Sequence, residues 1–188
     1  MALSFVSVRA PPKYTFEYTH ALKQQIPAIV LGDDLPLRSN LRGWHAKLEL
    51  FAPWNKILRP LLFFDLDTYI FNVEPLKQVD RTKFWMINDF GRKEFGESGI
   101  MLVPDDDELC ERIYTENIQG PDGAYLRNFP HKRLNNAVDG IYSYKHHCKD
   151  NLPDDATIVC FHGVPKPHET TGWAKDHWNS LTKNCWTP

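Results

Sequence analysis

The hydrophobic pattern changes period several times along the chain, and each change marks an element. Leu3 to Val8 alternates around β-forming residues and predicts a first strand, closed by Pro11-Pro12. A helix follows from Thr15, with Phe16, Leu22 and Ile26 at rough helical spacing, and Pro27 stops it. Ala28 to Leu31 reads as a second buried strand with Gly32-Asp33-Asp34 as its exit loop. In Gly43 to Phe51 the residues Trp44, Leu48 and Phe51 fall on one helical face, and Pro53 closes the segment.

Leu61 to Phe64 is an apolar run without period, the pattern of a strand covered on both faces. It runs into Asp65-Leu66-Asp67, and apolar residues resume at Tyr69-Ile70. Val73 to Leu76 reads as a turn or short helix. Phe84 to Asn88 and Gly99 to Val103 predict two further strands around a loop at 91–98. Asp105-Asp106-Asp107-Glu108 opens a helix to about Ile118, its acids facing the positive end of the helix dipole rather than a metal. Ala156 to Phe161 is the last clear strand, ending at His162, and Trp173 to Leu181 closes the chain as a helix.

The order predicts an α/β fold: a single domain over residues 1–188, with a central, mostly parallel sheet and helices on both faces. Ligands of such sheets collect at the carboxyl ends of the strands, where Asp65 and Asp67 fall. Unpaired carboxylates beside a core are costly without a compensating cation, so the two read as hard-metal ligands. A second reading has Asp67 capping a turn and Asp65 paired with a nearby base. His162 also ends a strand. Two carboxylates and an imidazole suit Mn²⁺ or Mg²⁺ carrying a diphosphate better than a closed zinc site. Gly163 then allows close backbone approach, and Lys166 on a Pro-stiffened loop can meet a phosphate.

Four stretches now stand in order: Trp44 to Phe51, Leu62 to Thr68, Glu97 to Met101, and Phe161 to Pro167. In that order the chain resembles the metal-dependent nucleotide-sugar glycosyltransferases of the GT-A (Rossmann-like) fold, family 8 and its small bacterial and phage relatives, over roughly residues 3–178. The resemblance implies that Asp65, Asp67 and His162 bind Mn²⁺ or Mg²⁺, with Asp65 also near the ribose. It implies that Gly163 and Lys166 contact the diphosphate of a UDP-linked donor, with Lys47 on the nucleotide side. Ser7, Val8, Arg9 and Tyr14 would border the base, Ser98 the donor sugar, and Asp122 would orient that sugar. The family usually has Asn where Glu97 stands and Asp-Gln where Asp122-Gly123 stands, so the donor sugar is not implied. Transfer would proceed with retention of anomeric configuration.

A haloacid-dehalogenase-like phosphatase with Asp65 as nucleophile is an alternative, although Thr68-Tyr69 replaces the Gly-Thr that follows its second Asp. A non-catalytic nucleotide-sugar-binding module is the other. For the acceptor, residues 125–149 interleave Arg127, Lys132, Arg133, Lys145 and Lys149 with Tyr125, Phe129, Tyr142 and Tyr144. That pattern suits either a modified base in DNA or an ordinary surface with its aromatics turned inward, and a saccharide acceptor stands equally.

Net charge of −2 gives no global pull toward nucleic acid or acidic membranes. No apolar run approaches the roughly 20 residues of a membrane span. Met1-Ala2-Leu3-Ser4 lacks the pattern of a signal peptide, so the expected location is the cytoplasm of a bacterial or phage-infected cell. Cys110, Cys148, Cys160 and Cys185 show no paired metal or redox spacing and read as reduced, structural thiols. Oligomeric state is open.

Overall fold

A computed structural model describes residues 2–10, 12–183 and 185; Met1, where the expected leaderless start begins, lies outside them. Within them the unperiodic run forms strand β3, and both of its faces are buried. To place it in chain order, β1 is Ser4–Val8, helix α1 Phe16–Gln25, β2 Ile29–Leu31 and β3 Leu61–Phe64. Then follow β4 Thr68–Ile70, α2 Glu74–Lys77, β5 Trp85–Asn88, β6 Gly96–Val103, α3 Asp107–Thr115, α4 Asp122–Leu126 and β7 Lys132–Arg133. The chain continues through β8 Ile141–Ser143, α5 Tyr144–His147, β9 Ile158–Cys160 and α6 Gly172–Thr182.

The main sheet has the order β2-β1-β3-β6-β5-β7. β1 pairs parallel with β2 and β3, and β5 with β7, while β6 runs antiparallel to both β3 and β5. The expected mostly parallel α/β sheet is therefore observed. Alternation along β3 sends Leu62 and Phe64 into a core with Tyr18 and Leu22 of α1 and Trp178 of α6. It sends Leu61 and Phe63 into a second core with Leu48, Phe51 and Ile113 of α3. Burial of this kind on both faces, at about 25 cal/mol per Å², ties β3 to both cores.

Thr15 precedes α1 and Ile26 ends it before Pro27, as the punctuation predicts. Asp106 caps α3, accepting from the Leu109 amide at 3.0 Å, and Asp107 pairs with Lys56, so the acidic run serves the helix start. One expectation fails locally. Gly43–Phe51 is a 3₁₀ helix, with three residues per turn rather than 3.6. Leu48 and Phe51, three apart, share the buried face, but Trp44 is 58% exposed. Pro53 closes that segment and also opens a second 3₁₀ helix, Pro53–Leu58, because proline fits a first helical turn.

The apolar residues after Asp67 do not continue the main sheet. β4 joins a second sheet, β4-β9-β8, antiparallel to β9, while β8 and β9 are parallel. The Asp65-Leu66-Asp67 segment is the bridge between the two sheets. Its entry is fixed by the Asp65 amide on the Gly99 carbonyl at 2.8 Å, and its exit by the Phe161 amide on the Asp67 carbonyl at 3.3 Å. Among the described residues no helix is long and apolar enough to cross a membrane.

Candidate active site

Because the acidic bridge is tied to β6 on one side and to the end of β9 on the other, both of its carboxylates open into one cavity of about 340 Å³. Lys47 from the first 3₁₀ helix, Ser98 from β6, Asp122 at the start of α4, and His162, Gly163 and Lys166 from the loop after β9 line the same space. Segments far apart in sequence thus converge. Trp44 and Lys13 also line the cavity, joined by Asp89, Phe90, Glu97 and Cys160.

Lys47 is the hub. Its Nζ donates to Asp65 Oδ1 at 3.0 Å and to Ser98 Oγ at 3.3 Å, and lies 2.9 Å from Asp122 Oδ2. Ser98 Oγ donates in turn to Asp122 Oδ2 at 2.6 Å. Burial opposes the charge on Lys47, but Asp65 and Asp122 outweigh it and raise its pKa above the ordinary value. Burial likewise opposes ionisation of Asp122, yet Lys47 and the Ser98 hydroxyl hold its carboxyl below the usual range. Asp65 is the opposite case: burial first, aided by Asp67, pushes it up against the pull of Lys47.

Asp67 pairs with Lys166. Gly163, at φ +72°, has a left-handed backbone that favours glycine, and a Cβ there would lie 3.0 Å from Lys145 Nζ. His162 lies between two rings, stacked on Phe90 and on His146 with centroids 5.5 Å away in both cases. Its Nε2 meets Ser143 Oγ at 2.6 Å. Burial, then Lys145 and His146, keep its pKa below the ordinary value, favouring the neutral ring.

The residues expected around the base are divided. Val8 and Tyr14 line a side cleft with Ala10, Lys13, Trp44, Lys47 and Asp65, contiguous with the main cavity through the shared residues. Burial, then the charges of Asp65 and Asp67, push the Tyr14 phenol up. Ser7 is fully buried and donates to the Phe64 carbonyl at 2.7 Å, locking β1 to the end of β3. Arg9 Nε donates to Asp33 Oδ1 at 2.7 Å, in the loop after β2.

Asp65 and Asp67 offer hard oxygens, and the upward push on Asp65 is what a divalent cation would relieve, so this pair fits Mn²⁺ or Mg²⁺. Among the described residues, no group of three or more His, Cys, Asp or Glu is arranged to hold a metal ion. His162 shares the cavity, but its Nε2 is engaged with Ser143.

Sequence reasoning missed an acid–base cluster beside Ser98. Arg127 Nη2 bridges Glu97 Oε2 at 3.1 Å and Asp89 Oδ2 at 3.3 Å, and its Nε donates to the Gly96 carbonyl at 2.6 Å. In the stretch 125–149, Tyr125, Phe129 and Tyr144 are buried, and the Tyr142 hydroxyl donates to Asp155 at 2.8 Å. Tyr125, Phe129 and Tyr144 are turned inward, and Tyr142 is left partly exposed.

This fold is that of glycosyltransferases. The chain is similar to GlyE of Streptococcus pneumoniae TIGR4, with a TM-score of 0.64 and 14% identity over 95% of this chain and 59% of that one. It is similar to the bifunctional glycosyltransferase WbbM in its apo form, at 0.65 and 10% identity, over 97% of this chain and 50% of that one. It is also similar to a glycosyltransferase involved in the glycosylation of the major capsid of PBCV-1, at 0.58 and 10% identity, over 97% of this chain and all of that one. The chain therefore spans about half to three-fifths of the first two. No protein-family model and no curated protein matches the sequence.

Proposed function

We propose that this chain is a metal-dependent glycosyltransferase that moves a sugar from a UDP-linked donor to a saccharide acceptor, with retention at the anomeric carbon. The observation that carries the reading is the convergence of Asp65, Asp67, Gly163 and Lys166 with Lys47, Ser98 and Asp122 on one cavity in a glycosyltransferase fold. In this reading Asp65 and Asp67 would hold Mn²⁺ or Mg²⁺, and His162 would join them as third ligand only on leaving Ser143. The bound cation would supply a positive charge against the diphosphate as the bond to the sugar breaks.

The chain's own groups do the rest. Lys166, paired with Asp67 before the donor arrives, exchanges that carboxylate for a diphosphate oxygen and stabilises the negative charge that grows there. Gly163 admits the diphosphate close to the backbone, and Val8 and Tyr14 flank the nucleotide. Asp122, kept ionised by Lys47 and Ser98, accepts from a sugar hydroxyl and orients the ring. With Tyr125, Phe129 and Tyr144 buried, residues 125–149 supply no argument for a DNA-base acceptor.

Calorimetric titration with UDP tests the site. Binding is expected to tighten when Mn²⁺ is present and to lose that gain in Asp67→Ala. Equal UDP affinity with and without Mn²⁺ in the wild-type protein would refute the metal-held diphosphate.

A further inference from the structure

Gly123 lies in the first turn of α4, and a Cβ placed on it would stand 2.9 Å from Glu97 Cδ and Oε2 and closer still to Oε1. The Glu97 carboxylate thus fills the space that any side chain at 123 would need. It is held there from two sides. Oε1 accepts from the Ser98 amide at 2.9 Å, with the Ser98 Oγ 3.2 Å away, and Oε2 accepts from Arg127 at 3.1 Å. Arg127 does not line the cavity, and its guanidinium carbon lies 5.1 Å from the Phe95 ring centroid.

We propose that Glu97, seated in the space left by Gly123, is the donor-specificity residue of the cavity, admitting a neutral or amino sugar and excluding a uronic acid. The inference rests on the glycosyltransferase reading above. Its basis is the order of charges along the cavity. Lys166 meets Asp67 and Lys47 meets Asp65, the carboxylates assigned to the diphosphate end, and Lys47 also reaches Asp122 beside the sugar. From Asp122 the contacts run through Ser98 to Glu97 and through Arg127 to Asp89.

Beyond Asp122 the cavity is lined by Glu97 and Asp89, whose cations, Arg127 and Arg92, are not among the lining residues. Asp89 is ionised: burial opposes it, but Arg92 and the backbone amides of Gly91 and Arg92 hold its pKa down. A sugar hydroxyl or ammonium can donate to Glu97. A sugar carboxylate would face Glu97 and Asp89 with no cation of the lining between them, and such a like-charge contact is disfavoured.

Two measurements test this. In donor competition with UDP-glucose, UDP-N-acetylglucosamine and UDP-glucuronate, the wild-type kcat/KM should favour the first two by roughly 100-fold or more. Glu97→Gln should narrow that ratio about tenfold, while Glu97→Asp, which keeps the charge, should retain most of it. A wild-type protein that uses UDP-glucuronate as well as UDP-glucose, or a ratio unmoved in Glu97→Gln, would overturn the proposal. Turnover of none of the donors would overturn the glycosyltransferase reading itself.

The seat is tested separately and needs no activity. Gly123→Ala should lower the melting temperature of the wild type, because the carboxylate must move off Ser98 and Arg127. The same change in a Glu97→Ala background should raise it, since alanine is the better helix former once the space is free. An equal shift in both backgrounds would show that Glu97 does not occupy the space over Gly123.

Discussion

Replacing Lys47 with methionine keeps an unbranched side chain of nearly the same length and removes the charge from between Asp65 and Asp122. The side chains of the three residues are 11%, 25% and 9% exposed, so water does little to screen them. At about 3 Å and an effective dielectric near 20, each ion pair has a gross attraction of about 5 kcal/mol. Much of that offsets the cost of burial, and removing one partner from such a cluster costs roughly 3–5 kcal/mol, because the remaining carboxylates lose their counter-charge. For a chain of this length that corresponds to a fall in melting temperature of about 6–20 °C. Thermal unfolding of Lys47→Met beside the wild type, with and without Mn²⁺, reads the effect. Mn²⁺ should raise the melting temperature of the variant more than that of the wild type, since the cation takes over the compensation of Asp65. A variant that melts with the wild type in both buffers would refute the role given to Lys47.

Two further outcomes follow from groups around the site. Glu49 is fully buried and accepts from the amides of Arg38 and Ser39, the Ser39 hydroxyl and Trp54 Nε1; burial opposes its charge, but these donors lower its pKa below the ordinary 4.5. Its contribution to stability is therefore present above pH 4.5 and lost as the pH falls through the folded-state value, so urea denaturation should find Glu49→Gln less stable at pH 7 by roughly 1–3 kcal/mol, with the gap closing in acid. Ser143→Ala releases His162 Nε2 from its hydroxyl partner and should strengthen Mn²⁺ binding, read by titration calorimetry; unchanged or weaker binding would count against His162 as a ligand.

The part of the site that could be read in the sequence was carried by short, local patterns. Leu61 to Asp67 announces itself because four apolar residues without period meet two carboxylates, and only a buried strand end explains that. Gly163 and Lys166 stand out for the same local reason. What stayed hidden depends on the third dimension. Nothing near Asp67 says that β4 leaves the main sheet, since Thr68 to Ile70 is as apolar as a continuing strand would be.

Trp44 was misplaced because a 3.6-residue period was applied to a segment that winds at three. Ser7 and Arg9 look available in sequence, but their partners, the Phe64 carbonyl and Asp33, come from other elements. The Glu97–Arg127–Asp89 cluster joins three separated positions, each of which reads alone as an ordinary surface charge. Glu97 and Gly123 are separate positions in the sequence and direct neighbours in the fold.

The central claim is that Asp65 and Asp67 hold a cation against the diphosphate of a nucleotide-sugar, and the most direct measurement is nucleotide release. The purified chain, incubated with UDP-sugars and a panel of saccharide acceptors, should release UDP in the presence of Mn²⁺ and stop when the metal is chelated. Asp67→Ala should abolish release while leaving a cooperatively folded protein. UDP release that persists without divalent metal, or that survives in Asp67→Ala, would contradict the account.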